Sequence, residues 1–345
     1  AIQDLIEPDD IIWVHDYHLM GVGNALRKFG VSARIGYFLH TPFPPLDIFI
    51  KLPWRFEILQ HLLSYDLIGL QTRRDRRNFV QCVHAMIKDV RITGKGRVLG
   101  TEIHGRKVRI GNFPISIDFD EFAQQARSSE VEKRQKELKY IFKARQLMMG
   151  VDRLDYTKGI PERLMAFRNA LKRFPDLHSK ISLLQIVVPS RMNIPEYNEL
   201  KQEIELLVSE INGEFTKPGW VPIQYIFRSI DRTELVAFYR AADIAFITPL
   251  KDGMNLIAKE YCASNIFKNG VLILSEFAGA AAQLHRQALL LNPYHLELAA
   301  EKIYQAYHMT YAERKKRMGA LRKEVKRSNI YWWVETFLDA VFSMP

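Results

Sequence analysis

Two cysteines in 345 residues leave no room for a disulfide-stapled scaffold or a cysteine-built metal centre. Cys82 and Cys262 each sit inside an apolar helical pattern, so both are expected as packed thiols, which fits a reducing cytoplasm. No run of about 18 apolar residues occurs, so a membrane-spanning helix is not expected. The opening AIQDLIEPDD has neither a basic start nor a long apolar stretch, which argues against a secretory signal. It also lacks an initiator Met and begins as if in mid-helix, so an excerpt of a longer protein is expected. Low-complexity segments are missing, as is any repeat beyond two similar halves. Acidic residues are in deficit, 39 against 49 Lys and Arg, which gives a net charge of +10. Nucleic acid, acidic membrane and small anionic substrates all suit such a charge. The basic residues cluster at Arg73 to Arg77 and, in the terminal helices, at Arg314 to Arg317 and Arg322 to Arg327. No cluster is interleaved with stacking aromatics, so solvated helix faces are expected first and small anionic substrates next.

What is present is globular: 48% hydrophobic and 26% charged residues, in a chain long enough for two domains of ordinary size. Ile11 to Val14, Ile35 to Leu39 and Leu67 to Leu70 read as strands, separated by helices ending near Phe29 and spanning about 54 to 63, with another at about 74 to 89. This is the rhythm of an α/β fold with a parallel sheet, whose strand ends face the ligand crevice. His15, Asp16, His18 and His40 all lie at such ends. H-D-Y-H is not an established metal-ligand spacing and no fourth ligand is evident, so hydrogen-bonding roles are expected and no metal. A hairpin around His104-Gly105, a short strand at Phe113 to Ile117, and a charged helical stretch from about 118 to 145 follow. The domain boundary is placed near residue 145.

The second half opens with a strand at Leu147 to Val151, then a loop holding Arg153 and Lys158 before a helix that begins at Pro161. Those two cations could converge on a pyrophosphate, one as a fork and one as a point charge. Further strands are Ile181 to Val188, Ile223 to Phe227, Ile244 to Ile247, Val271 to Leu274 and Ala288 to Leu291. Helices at about 294 to 306, 311 to 327 and 331 to 343 close the chain. Asp252 is placed at the N-cap of the helix after the strand at 244 to 247. The amides of Gly253, Met254 and Asn255 then fall in its first turn, a favourable seat for an anion. Glu260 lies about two turns deeper on a similar face, so the two carboxylates could each hold a diol. Ser275 to Ala281 is a small-residue turn suited to close approach of backbone to a ligand.

Six motifs in order, WVHDYHLM, FLHTPFPP, VDRLDYTKGIPERL, PSR, TPLKDGMNLIAKEY and GVLILSEFAGAA, resemble the trehalose-6-phosphate synthase family, glycosyltransferase family 20. The resemblance runs from the first residues to the last helix. It implies the GT-B architecture: two facing Rossmann-like domains, here 1–145 and 146–325, a ligand cleft between them, and a terminal helix (326–345) packing back toward the first domain. It implies retaining transfer of glucose from a nucleotide diphosphate glucose, UDP-glucose foremost, to glucose 6-phosphate, with no cofactor and no metal. The implied donor contacts are Arg153 and Lys158 on the diphosphate, Asp252 with backbone of Gly253, Met254, Asn255 and Leu256 on the glucose, Glu260 on the ribose, and His40 near the reacting centre. Asp16 and Tyr17 are placed at the acceptor sugar and Arg191 at its phosphate. The family's Gly-rich N-terminal loop is missing from the sequence. Alternatives are a glucosylglycerol-phosphate synthase, a silent sugar-phosphate-binding regulator, and a nucleic-acid binder, with no membrane partner; the oligomeric state stays open, a homo-oligomer included.

Overall fold

The computed structural model describes residues 5–7, 9–88, 90–103, 105–142 and 145–343. They fall into two compact units: the chain up to Ile115 together with Ile330 onward, and Ser116–Asn329.

In the first unit the strands are β1 (Ile11–His15), β2 (Arg34–Phe38), β3 (Leu67–Leu70), β4 (Arg91–Thr93), β5 (Val98–Ile103) and β6 (Arg106–Asn112). The helices are α1 (Val22–Lys28), α2 (Leu46–Phe49), α3 (Arg55–Leu62) and α4 (Arg73–Met86). They form one sheet in the order β1-β2-β3-β6-β5-β4. The first four strands are parallel, and β5 and β4 continue the sheet antiparallel. Phe113 to Ile117 is not a strand, contrary to expectation. Pro114 lacks an N–H to give a ladder, and the Ile115 amide donates instead to Gln71 Oε1 at 3.0 Å. The β4 strand was not foreseen, and His104, at the expected hairpin tip, lies outside the described residues.

The second unit opens with α5 (Phe119–Gln125) and α6 (Ser129–Ile141). Six parallel strands follow: β7 (Gln146–Arg153), β8 (Ile181–Val188), β9 (Ile223–Phe227), β10 (Ile244–Ile247), β11 (Val271–Ser275) and β12 (Leu289–Leu291). Between and after them come α7 (Ile160–Arg173), α8 (Pro195–Phe215), α9 (Arg232–Ala241), α10 (Leu256–Ser264), α11 (Ala281–Leu284), α12 (Leu296–His308) and α13 (Tyr311–Arg327). The order β12-β11-β10-β7-β8-β9 runs outward from β7, then returns and runs the other way from β10. The winding therefore reverses between β7 and β10, and a crevice opens beyond the carboxyl ends of those two strands.

The units divide at Ile115/Ser116 and not at 145. Phe119 and Phe122 are buried, the Arg322 guanidinium lies 5.0 Å from the Phe119 ring, and Lys139 pairs with Asp243 at 2.9 Å, so α5 and α6 pack within the second unit. The last helix, α14 (Ile330–Phe342), completes the first unit. Its Phe337 ring stacks on Trp13 at 4.3 Å and fills the space above Gly36 and Gly69, where an added Cβ would sit 2.9 and 2.7 Å from that ring. The terminal cations are only partly solvated. Arg314 and Arg322 are buried and donate to the carbonyls of Ala306 and Cys262, each at 2.8 Å. Part of the basic excess is thus consumed in holding helix ends.

Candidate functional site

The crevice of the second unit is built from the residues after β7 and β10. Arg153, the last residue of β7, is exposed, one residue beyond the buried Asp152. Asp155 caps the short turn Tyr156–Lys158, accepting from the Thr157 amide at 2.8 Å, and Gly159 turns the chain at φ 62. A Cβ there would sit 2.6 Å from the Thr248 carbonyl, so only glycine lets this loop lie against the one after β10. The Leu250 amide donates to Thr157 O at 2.8 Å and ties the two loops together. Lys158 Nζ donates to Asp252 Oδ2, also at 2.8 Å, with both side chains about 15% exposed.

Asp252 is not the N-cap of α10. That position belongs to Asn255, whose Oδ1 accepts from the Ala258 amide at 3.0 Å while its Nδ2 donates to Asp252 Oδ2 at 3.1 Å. Asn255 adopts φ 73, a conformation in which asparagine is several-fold enriched. Gly253, Met254 and Asn255 are therefore loop, and among the described residues their amides make no hydrogen bond within the chain. Leu256 opens the helix, so Glu260 lies in its second turn. The Ser275 to Ala281 turn lies against this loop: the Ala280 amide donates to Met254 O at 2.6 Å, and a Cβ on Gly279 would sit 1.8 Å from Gly253 O.

Beneath the loops lies a node that sequence reasoning missed. Arg163 of α7 is 1% exposed and pairs with Asp152. It also donates to Thr248 Oγ1 at 3.0 Å and to Gln185 Oε1 at 3.2 Å. The end of β7, the middle of β8, the residue after β10 and α7 are thus joined by one planar fork. Burial pushes the Asp152 carboxyl upward, against the pull of Arg163 and then Lys158. Position 163 falls on the apolar face set by Ile160, Phe167 and Ala170, and that misplaced charge was the available signal. Glu260 is fixed by a second missed residue, the buried Tyr239, whose hydroxyl donates to Glu260 Oε2 at 2.7 Å. Burial raises the Glu260 carboxyl, opposed by Tyr239 and by the charge of Arg232. Arg191, at φ 51, donates to Tyr197 Oη at 3.1 Å.

In the first unit, the ends of β1 and β2 bring His15 Nδ1 to 3.1 Å from His40 Nε2. Burial depresses both imidazoles. His15 is lowered further by His40, and Asp16 opposes the shift in each. Asp16 itself is held at φ 67, and its Oδ1 is buried with no hydrogen-bond partner among the described residues. Tyr17 is 43% exposed and lies against His18. Among the described residues no group of three or more His, Cys, Asp or Glu side chains could hold a metal ion. Cys82 and Cys262 are buried free thiols, and among the described residues no helix is long and apolar enough to cross a membrane. A cavity of about 1250 Å³ opens at the other end of this unit's sheet. It holds Arg27 and Arg106, both paired to Asp66, and none of the expected site residues.

The chain resembles an alpha,alpha-trehalose-phosphate synthase (UDP-forming) of Dictyostelium discoideum, 40% identical over 334 residues that cover 96% of this chain and 45% of that protein. The chain thus spans less than half the length of that curated relative. Among solved structures, a UDP-forming alpha,alpha-trehalose-phosphate synthase from Burkholderia xenovorans in complex with glucose 6-phosphate superposes with a TM-score of 0.94 at 37% identity, over 99% of this chain and 75% of that one. The E. coli protein bound with UDP-2-fluoro glucose gives 0.93 at 37% identity, over 100% and 75%. Both likenesses extend over both units, so the fold is of the GT-B class. The sequence profile described as glycosyltransferase family 20 matches residues 1–342, and the chain belongs to that family.

Proposed function

We propose that this chain carries the donor half, and part of the acceptor half, of a retaining glucosyltransferase that moves glucose from UDP-glucose to glucose 6-phosphate and forms trehalose 6-phosphate. The observation that carries this reading is the Lys158–Asp252 pair beside the unbonded amides of Gly253, Met254 and Asn255, at the switch point of the second sheet. A cation, an acceptor carboxylate and a row of free N–H groups on two joined loops suit a sugar linked to a diphosphate. The relatives' ligands, a glucose phosphate and a UDP-glucose analogue, have the same chemistry.

In this reading Arg153 and Lys158 bind the diphosphate, Asp252 and the backbone of 253 to 256 hold the glucose hydroxyls, and Glu260 takes the ribose diol. His40 contacts the glucose near its reacting carbon. Asp16, with its buried unpartnered oxygen, and Tyr17 receive acceptor hydroxyls, and Arg191 the acceptor phosphate. The bond from the anomeric carbon to the diphosphate oxygen breaks as the acceptor hydroxyl oxygen attacks from the same face. The hydroxyl proton passes to the departing phosphate, and Arg153, Lys158 and the loop amides stabilise the charge that collects there. Loss of one such preorganised contact typically costs about 10² to 10³ in rate. A cytoplasmic setting, with small anionic substrates as the partners of the basic charge, accompanies this reading.

Calorimetric titration with UDP, ADP and GDP tests the donor half. Micromolar binding of UDP, abolished by Arg153→Ala with Lys158→Ala, is expected. Absence of binding to all three, in this chain and in a longer one that includes the family's N-terminal segment, would overturn the reading.

A further inference from the structure

β1 and β2 run parallel with His15 opposite Phe38, and the Asp16 amide continues the ladder by donating to Phe38 O at 2.8 Å. That register carries His40, two residues past the end of β2, alongside His15. The two rings are fixed by packing as well as by the bond. His15 lies 4.7 Å from the Trp13 ring and 6.4 Å from those of Phe38 and Trp333, and His40 meets the edge of Phe38 at 4.9 Å. The His40 carbonyl accepts weakly from Gln71 Nε2 at 3.5 Å, so the backbone is tied from β3 as well.

A hydrogen bond between two imidazole nitrogens requires one to carry a proton and the other a lone pair. Both rings cannot be fully protonated and keep it. Once His40 Nε2 is committed to His15, Nδ1 is the only ring nitrogen left to meet a ligand. Asp16, from the turn after β1, is the charged group that acts on both rings. The neighbours of His15 contributed by β1, β2 and α14 are Trp13, Phe38 and Trp333, which carry no charge. The aromatic walls therefore leave the tautomer to the pair itself and to Asp16.

We propose that His15 is a positioning residue for His40: it occupies His40 Nε2, fixes the tautomer of that ring, and makes Nδ1 the nitrogen offered to the donor sugar. This rests on the reading of His40 as a donor contact. His15 touches no reacting atom in this role, as with the partners that orient ligating histidines elsewhere, whose loss costs about 10- to 100-fold.

The test compares His15→Phe, which keeps an aromatic ring in the packing, with His15→Asn, which keeps a polar partner for His40. Activity is measured as transfer from UDP-glucose to glucose 6-phosphate in the full-length protein, alongside the ¹⁵N shifts of the His40 ring. In wild type, His40 is expected in one tautomer. In His15→Phe the ring shifts move toward a tautomer average, and kcat falls about tenfold or more while KM for UDP-glucose changes less than about threefold. His15→Asn is expected to recover most of the loss. Unchanged kcat and unchanged His40 shifts in His15→Phe would overturn the proposal, as would an Asn variant no better than Phe. If His15→Phe fails to fold, a tautomer-averaged His40 in wild type overturns it and a single tautomer that survives in His15→Asn supports it. Transfer absent from wild type with the shift changes intact would sink the functional reading and leave the pairing standing.

Discussion

Arg163 is among the largest fully buried side chains in the protein, and it is charged. Its value lies in what it joins: Asp152 near the end of β7, Gln185 inside β8 and Thr248 just past β10, next to Arg153 and to the loops that carry Lys158 and Asp252. Arg163→Met strands the buried Asp152 carboxylate without its partner, and a loss of about 3–5 kcal/mol is expected. Joint replacement by Arg163→Met and Asp152→Asn should lose clearly less, because no buried charge is left unpaired; urea unfolding of the single and double variants checks this. Lys259, 1% exposed on α10, is a second residue-scale case. Burial lowers its pKa from 10.5 to about 7, against the favourable charge of Glu324. Between those two values the unfolded chain holds the proton and the folded chain does not. Stability therefore rises with pH through that window, by up to about 1.4 kcal/mol per unit, and is flat with respect to this group below 7. The difference between wild type and Lys259→Met in thermal unfolding, followed from pH 6 to about 9, should show that slope. A pH-independent difference would mean that the lysine keeps its proton when buried.

At the scale of elements, the site is a junction of three loops with almost no side chain between their backbones. Gly159 abuts Thr248, and Gly279 abuts Gly253. Such contacts are stiff, because a backbone cannot rotate aside as a side chain can. Gly279→Ala would place a methyl group inside the Gly253 carbonyl, so the Asp252 loop must move or the turn before α11 must open. Overpacking of this kind typically costs about 1–3 kcal/mol. The expected outcome is a folded protein with UDP-glucose affinity weakened about tenfold or more, read by calorimetry beside a melting curve. Normal affinity would show that the loop's position does not matter to the donor. The imidazole pair acts at this scale as well. Both rings are depressed by burial, so each is neutral in the folded state at pH values where the unfolded chain begins to take up protons. Their contribution to stability is therefore lost as pH falls below about 6.5. His15→Phe should lessen that acid loss, visible as a smaller drop in melting temperature between pH 7 and 5.

For the molecule as a whole, the two units differ in how the chain builds them. Ser116–Asn329 is one continuous stretch, whereas the other unit needs α14 from the far end of the sequence. Trp13, Phe38 and Phe113 pack against Trp333 and Phe337 of that helix, and Trp333 Nε1 donates to Phe113 O at 3.1 Å. Removing residues 330–345 should abolish the unfolding transition of the first unit in calorimetry and leave that of the second. The stretch 116–329 by itself should fold and bind UDP within about tenfold of the longer chain, since the proposed donor residues other than His40 lie inside it; each factor of ten is about 1.4 kcal/mol.

Periodicity and turn chemistry determined most elements unaided: β3, β8, β9, β10 and α13 fall where the sequence puts them, because each is a clean apolar run or heptad-like face bounded by turn residues. Arg153, Lys158 and Asp252 stand out in the sequence because charged residues at or just past strand ends have few structural reasons to be there. What the sequence could not yield were facts of long-range contact. The start of α10 shifted to Asn255 because Asp252 is engaged by Lys158, 94 positions away. The boundary moved to Ile115/Ser116 because α5 and α6 find their apolar partners further along the chain. Tyr239, Arg163 and the His15–His40 bond were hidden for the same reason: a buried polar group is explained by its partner, and only the folded chain brings the partner within 3 Å or so.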